Sequence, residues 1–147
     1  MNTVLRYPGS KWRIADQLVS NIPEHKSYLE PYFGSGAVLF NKPPSPIETI
    51  NDLDDDVINL FQCIRDHSQQ LAAMIAAIPY SRKVYYSQFS IVSKDPFDKA
   101  CAFLIKCWQG YGFKTSGIKT GWKRDKTGRE RAYNLSNWYH LPEWIEG

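Results

Sequence analysis

The spacing of hydrophobic residues predicts one helix and two short strands in the first third of the chain. Apolar side chains recur at helical spacing over residues 11–22, with Ser10 available as the N-cap and Pro23 closing the segment. SYLEPY predicts a strand that Pro31 keeps short, AVLF predicts the start of a helix, and IETI predicts a second strand. Strands joined by helical connections are typical of the beginning of an α/β sheet.

The following segments carry a helical pattern. An apolar stripe predicts a helix that is capped by Asp54 and breaks near His67-Ser68. A further helix is expected from Ser81. Asp95-Pro96 predicts a helix over residues 97–109, because aspartate caps helices and proline fits the first helical position. LSNWYHLPEWIE is a last amphipathic segment.

The composition is that of a folded, globular protein. Of the 147 residues, 43% are hydrophobic, 22% charged and 14% aromatic, unlike a disordered chain. No apolar run approaches bilayer length and the N-terminus lacks the apolar core of a signal peptide, so we expect a cytoplasmic protein without a membrane span. Cys63, Cys101 and Cys107 form no CxxC pair, which favours buried neutral thiols over a disulfide framework or a zinc site.

Positive charge is concentrated in one segment. Residues 110–133 lose the helical pattern, and a loop of that length in a compact domain is usually functional or disordered. Between Lys114 and Arg131 the local formal charge is +5, which leaves the rest of the chain at −2 out of a total of +3. A basic segment on a neutral-to-acidic body indicates a polyanionic partner.

The stretch SYLEPYFGSGAV indicates a nucleoside pocket. Gly34 and Gly36 let a ligand approach the backbone closely, because glycine has no Cβ. Asp52 follows Gly34 at the distance at which nucleotide-binding α/β domains place an acid against the ribose hydroxyls. Glu30, just before the turn, would repel a phosphate and attract an ammonium or sulfonium group. S-adenosylmethionine is a nucleoside with such a cationic tail.

Two other nucleotide sites fit the residues less well. A dinucleotide site normally has a third glycine where this chain has Leu39, which disfavours a nucleotide-dependent oxidoreductase. PGSK is similar to the end of a P-loop, but Trp12 stands where that loop needs serine or threonine, and no strand precedes it. We therefore reject an NTPase.

Three ordered motifs are shared with a known family. RYPGSKWRIA, YLEPYFGSGAVLF and NDLDDDVINLF resemble the successive motifs of the Dam-type DNA adenine methyltransferases, and PYSRKVYY and PFDKACAFLIKCWQGYGF resemble the middle region of that family. The resemblance implies a site-specific DNA adenine methyltransferase that uses S-adenosylmethionine. The fold it implies is α/β, with a partial Rossmann-like methyltransferase domain of incomplete sheet and a largely helical target-recognition segment. Residues 1–55 would form the cofactor-binding part, and residues 56–147 the target-recognition part with a basic loop at 110–133.

The resemblance also assigns cofactor residues. Tyr7 and Lys11 would line the methionine end of the cofactor, and Asp52 would hold its ribose. The floor would be formed by Glu30 and by the turn that contains Pro31, Gly34 and Gly36. Each residue has a structural alternative: Tyr7 in the core, Lys11 solvated, and Glu30 or Asp52 as helix caps. Asp54, Asp55 and Asp56 are expected at a cap and on the surface.

The same resemblance places double-stranded DNA against helix 97–109 and the basic loop. Lysine and arginine neutralise phosphates, and aromatic side chains can stack on a displaced base. The alternative is an ordinary solvated loop with locally packed aromatics. The residues expected to bind DNA are Tyr111, Lys114, Lys119, Trp122, Lys123, Arg124, Lys126, Arg129 and Arg131.

The family's catalytic Asp-Pro-Pro-Tyr-type motif has no match in these 147 residues. Pro43-Pro44 follows Lys42 rather than an acid, precedes Ser45 rather than an aromatic, and lies too early in the family's order. We expect no catalytic residue here and no activity of the chain on its own. Three explanations stay open: a truncated or degenerate gene product, a fragment of a longer enzyme whose C-terminal half carries the motif, or half of a split enzyme completed by a second chain. The alternative function is a non-catalytic DNA-binding module derived from such a methyltransferase, and an unfinished sheet edge leaves dimerisation open.

Overall fold

The computed structural model describes residues 3–112, 118–124 and 135–147. In these residues a short helix precedes two strands, and four helices follow. The strands are β1 (Ser27–Glu30) and β2 (Ile47–Ile50), and a 3₁₀ turn, Leu39–Asn41, lies between them. The helices are α1 (Ala15–Ser20), α2 (Asp55–Ala77), α3 (Arg82–Ser87), α4 (Pro96–Gln109) and α5 (Leu135–Glu146).

The two strands form a parallel sheet. Ser27 pairs with Ile47 and Glu30 with Ile50, so the carboxyl ends of β1 and β2 lie side by side. The pairing continues beyond the strands, because the backbone N–H of Phe33 donates to the carbonyl of Asn51 at 3.0 Å. β2 has the predicted bounds, and the mixed helix-and-sheet architecture confirms the α/β expectation. The glycine turn after β1 therefore meets the acidic loop after β2.

The core lies between α2, α4 and α5. Trp138 and Leu141 of α5 are buried in one hydrophobic cluster with residues of α2 and α4, and that cluster also contains Leu5 and Phe33. Two indole N–H groups form hydrogen bonds between these elements. Trp108 Nε1 of α4 donates to the carbonyl of Val4 in the N-terminal segment at 2.8 Å, and Trp138 Nε1 of α5 donates to that of Ile78, just after α2, at 3.2 Å. The helical layer thus anchors the N-terminal segment that lines the candidate site.

The long helices begin and break where their local signals predicted. The Asp54 side chain accepts from the backbone N–H of Asp56 at 3.1 Å and caps α2. His67 has non-helical dihedrals (φ −148°, ψ 39°) and kinks α2 at the predicted break. At α4, Asp95 accepts from the backbone N–H groups of Phe97 at 2.7 Å and of Asp98 at 3.3 Å.

Two predictions about the N-terminal half were wrong. α1 spans only Ala15–Ser20, its N-cap residue is Ile14, and it has no side-chain cap; the Ser10 hydroxyl instead forms a 2.7 Å hydrogen bond with Ser35. AVLF does not start an α-helix, since only the 3₁₀ turn forms there. Pro43 and Pro44, which have no backbone N–H to donate to a helix, begin two residues after the end of this turn and leave no length for an α-helix.

The cysteines are free and buried, as predicted for neutral thiols. Burial raises the pKa of the Cys101 thiol to about 11 and that of Cys107 well above its ordinary value. Within the part of the chain that the structure describes, no three or more His, Cys, Asp or Glu residues cluster as a metal site would require. The helices described here are also too short or too polar to span a bilayer.

Candidate functional site

A cavity of about 570 Å³ opens at the carboxyl ends of β1 and β2. Its wall is made by the N-terminal turn, the glycine turn after β1 and the acidic loop after β2. Four of the predicted cofactor residues line it: Tyr7, Lys11, Gly34 and Asp52. Glu30, Pro31 and Gly36, all within the described residues, do not line this cavity.

Asp52 joins the two loops that meet at the sheet edge. Its Oδ2 accepts from the backbone N–H of Gly34 at 2.7 Å, and its Oδ1 accepts from that of Asp54 at 3.0 Å. Gly34 has φ +53°, a conformation that side chains other than glycine rarely adopt. Each carboxylate oxygen accepts more than one hydrogen bond. The half-buried Asp52 can therefore fix the turn and still receive hydroxyl groups of a ligand.

Tyr7 packs against the glycine turn. A Cβ added to Gly34 would lie 3.3 Å from Tyr7 Cδ1, so the absence of a side chain there lets the ring approach. The Tyr7 hydroxyl donates to Asp54 Oδ2 at 3.0 Å. Burial, with the Asp54 carboxylate beside it, raises the pKa of Tyr7. The phenol, which is protonated at neutral pH even at the ordinary tyrosine pKa of about 10, acts here as a donor.

Glu30 lies behind the turn. It is only 6% exposed, and its Oε2 accepts from the Tyr28 hydroxyl and from the backbone N–H of Leu39, each at 3.2 Å. Burial raises the pKa of Glu30, and these two donors together with the charge of Lys11 partly offset the increase. The carboxyl group therefore ties the segment after the glycine turn to β1.

Gly36 is enclosed by aromatic rings. It has φ +68°, and a Cβ added there would collide with the rings of Phe40 and Phe33. Phe33 makes edge contacts with Phe40, at 6.0 Å between centroids, and with Phe61 of α2, at 4.8 Å. Gly36 thus lets the turn pack on the core.

The cavity is electronegative. Three carboxylates line it, those of Asp52, Asp54 and Asp55, against one lysine, Lys11. The Lys11 ammonium lies at the rim and donates to the carbonyl of Tyr32 at 3.4 Å. An excess of acids favours a cationic ligand over a phosphate.

Two further polar side chains form part of this wall: Ser35, which lies within the predicted Pro31–Gly36 turn, and Asp54, which was predicted only as a cap. Ser35 lines the cavity, and its hydroxyl is 2.7 Å from that of Ser10 and accepts from Trp12 Nε1 at 3.1 Å. Asp54 caps α2 as predicted, and it also holds Tyr7 and lines the cavity. Its position two residues beyond Asp52, at the end of a strand, is the signal that could have identified it.

Of the basic segment 110–133, the structure describes residues 110–112 and 118–124. Gly110 and Trp122 form an antiparallel bridge, in which Tyr111 N–H donates to the Gly121 carbonyl and Lys123 N–H to the Gln109 carbonyl, both at 2.7 Å. This part of the segment folds back against the end of α4.

The predicted DNA-binding residues differ in exposure. Tyr111 is 70% exposed, and Lys119 and Arg124 are exposed as well; the Lys119 ammonium also lies 4.6 Å from the centroid of the Tyr86 ring. Trp122 is half-buried against Tyr80, with centroids 5.6 Å apart. Tyr111 is therefore more accessible than Trp122 for stacking. Lys123 is half-buried, and Lys114, Lys126, Arg129 and Arg131 lie outside the described residues.

Comparison with known proteins agrees with this geometry. A family model described as D12 class N6 adenine-specific DNA methyltransferase matches residues 7–127. The DNA adenine methylase of Escherichia coli K12 is 28% identical over 114 residues, which cover 73% of this chain and 40% of that protein. The DNA adenine methylase of Haemophilus influenzae is 30% identical over 111 residues, covering 68% and 37%.

A phage protein is also similar. The DNA N-6-adenine-methyltransferase of Escherichia phage P1 is 26% identical over 117 residues, covering 74% of this chain and 15% of its own length. The chain therefore spans two fifths or less of the length of these three relatives.

Proposed function

Because the chain belongs to the D12 class of N6 adenine-specific DNA methyltransferases, we propose that it binds S-adenosylmethionine and DNA for methyl transfer to the exocyclic amine of adenine. The electronegative cavity at the carboxyl ends of β1 and β2 is the observation that carries this proposal. Its volume of about 570 Å³ lies within the range of small-molecule sites. The proposal assigns the transfer step itself to no residue of this chain.

In this proposal the negative charge of the cavity favours S-adenosylmethionine, whose sulfonium and ammonium groups are positive. The sulfonium and ammonium groups of S-adenosylmethionine would lie among the carboxylates of Asp54 and Asp55, while Asp52 accepts from the ribose hydroxyls. Tyr7 and Lys11 contact the methionine end. S-adenosylhomocysteine lacks the sulfonium charge, so an electronegative site should bind it more weakly than S-adenosylmethionine.

Glu30, Pro31 and Gly36 act from outside the cavity. Glu30 and Gly36 hold the glycine turn in place through the Leu39 hydrogen bond and through the packing around Gly36, and the Pro31 carbonyl accepts from Asn51 Nδ2 at 3.2 Å. In the proposal, β1 and β2 belong to a Rossmann-like methyltransferase sheet, and residues 1–55 form its cofactor-binding part.

The partner of residues 56–147 is double-stranded DNA. Tyr111, with its exposed ring, is positioned to stack on a displaced base, and the exposed Arg124 is positioned to meet phosphates. The other lysines and arginines of the basic segment extend the same positive charge.

Calorimetric titration of S-adenosylmethionine into the chain tests the cofactor site. Asp52→Asn keeps one oxygen to accept from Gly34 but removes the charge, and we expect its affinity to fall about tenfold or more, since hydrogen bonds to charged groups contribute ~1.5–3 kcal/mol. Asp66→Asn is the matched control, because Asp66 is exposed on α2 and pairs with Arg65.

The control variant should bind as the unmodified chain does. Circular dichroism establishes that each variant is folded. Equal affinities of a folded Asp52→Asn variant and of the control would refute the site, and so would a preference for S-adenosylhomocysteine.

A further inference from the structure

A second cavity lies on the other side of the N-terminal turn. Its volume is about 630 Å³, and it shares Tyr7, Pro8 and Ser10 with the candidate cofactor cavity. Three cationic side chains line it, and none of the described residues in its wall is acidic. Those cations are Arg6, Arg13 and Lys123.

Arg6 is held in this wall by packing. Its guanidinium lies 4.3 Å from the centroid of the Trp108 ring, and Trp108 is in turn fixed by its hydrogen bond to Val4. Arg6 is half-buried, and burial lowers its pKa. The guanidinium remains charged. Within the described residues, the structure gives Arg6 no carboxylate partner.

Lys123 brings a second charge to the same wall. Its backbone N–H donates to Gln109 at 2.7 Å, and its carbonyl accepts from the Tyr80 hydroxyl at 3.0 Å, so its place beside the cavity is fixed. Burial lowers the pKa of Lys123, and the positive charge of Arg6 lowers it further. Like Arg6, it has no ion pair with any residue in the described ranges.

Two cations that share a half-buried wall, with no ion pair to any described residue, are unfavourable without an anion. Each has lost part of its hydration, and each repels the other. An anionic ligand would supply the missing counter-charge to both. The cavity is therefore complementary to a negatively charged group, in contrast to its acidic neighbour.

We propose that Arg6 and Lys123, with the exposed Arg13 at the rim, bind a backbone phosphodiester of nucleic acid beside the cofactor cavity. This proposal rests on the proposed function, because it takes the anion from the DNA that the chain binds. Lys119 and Arg124 continue the positive charge along the same segment, which suits a polyanionic strand rather than a single small anion. The wall formed by Tyr7, Pro8 and Ser10 places the bound strand next to the methyl donor.

The test compares two charge-matched double variants of the chain. One is Arg6→Gln with Lys123→Gln. The other, as control, is Lys26→Gln with Arg65→Gln, two exposed cations outside both cavities. Anisotropy of a labelled duplex gives the affinity at several salt concentrations. Inorganic pyrophosphate and S-adenosylmethionine are titrated separately by calorimetry.

We expect the cavity variant to bind duplexes of any sequence at least about tenfold more weakly at 0.1 M salt. The slope of log affinity against log salt should fall by about one, as for the loss of one phosphate contact. The control should change less than about twofold, and both variants should bind S-adenosylmethionine like the unmodified chain. If the double variant does not fold, Lys123→Gln alone is measured against Lys26→Gln.

Each other outcome overturns part of the proposal. Equal DNA and pyrophosphate binding by the two variants excludes an anion site in this cavity. Loss of pyrophosphate binding alone, with DNA binding intact, shows a site for free phosphates and excludes the phosphodiester. Failure of the unmodified chain to bind either DNA or S-adenosylmethionine would instead refute the proposed function.

Discussion

At the scale of single residues, a side chain added at Gly9 or Gly36 would have two kinds of cost: backbone strain at both positions, and steric collision at Gly36 alone. Both have positive φ, +76° and +68°, but a Cβ on Gly9 would meet no atom within 4 Å, whereas one on Gly36 would meet two phenylalanine rings. We expect Gly9→Ala to lower the free energy of unfolding by ~1–2 kcal/mol through backbone strain alone. Gly36→Ala should cost ~1–3 kcal/mol more, because the rings must also move.

Urea denaturation of the two variants measures this difference directly. Both variants share the cost of backbone strain. If the dependence of the unfolding free energy on urea is the same for both, the difference between their midpoint urea concentrations gives the cost of moving the rings. Equal destabilisation would show that Phe33 and Phe40 can move aside without cost, and that Gly36 is present for its backbone conformation only.

At the scale of elements, the two helix starts at Asp95 and Ser81 differ in capping. Asp95 accepts from the backbone N–H groups of Phe97 and Asp98, whereas the Ser81 side chain makes no cap hydrogen bond to α3. We expect Asp95→Ala to lower the free energy of unfolding by ~1 kcal/mol. Ser81→Ala should stay within ~0.5 kcal/mol of the unmodified chain. Thermal denaturation followed by circular dichroism compares them, and a loss of the same size in both would contradict the assignment of the cap to Asp95.

The same contrast shows which elements local sequence predicts. Asp54 caps α2 and Asp95 caps α4, and each accepts from backbone N–H groups only two or three residues further along the chain. α1 is shorter than its apolar spacing suggests, and the Ser10 hydroxyl, expected as its cap, bonds instead to Ser35, a partner 25 residues away. A local pattern does not contain that contact. Elements whose ends are decided by neighbouring residues were predictable, and those decided by tertiary hydrogen bonds were not.

At the scale of the whole molecule, the parallel pairing of β1 and β2 determines which of the predicted site residues lie close together. Gly34 and Asp52 were predicted to contact the same nucleoside, and the structure brings them together at the sheet edge, where a 2.7 Å hydrogen bond that was not predicted joins them. Glu30 was expected in the same cavity, but side chains alternate along a strand, and Glu30 shares its side with Tyr28. Arg6 and Lys123 line one cavity only because the fold brings the N-terminal segment against the segment that follows α4. No motif spacing could have predicted it.

Glu30 also makes the stability of the molecule depend on pH. Burial raises its pKa in the folded chain above the ordinary value of about 4.3, so the folded state binds more protons than the unfolded state between those two values. The stability contributed by the neutral carboxyl group is present below the ordinary pKa and is lost as pH rises through the raised one. Glu30→Gln keeps an oxygen to accept from Tyr28 and Leu39 but cannot ionise.

We therefore expect Glu30→Gln to be more stable than the unmodified chain at pH 7, with the advantage shrinking as the pH falls towards 4. Melting temperatures measured without ligand between pH 4 and pH 7 give both profiles. Glu24→Gln, at an exposed glutamate, should follow the unmodified chain throughout. If the Glu30→Gln and unmodified profiles ran parallel, the Glu30 carboxyl would have the same pKa in both states. Its burial behind the glycine turn would then carry no net electrostatic cost.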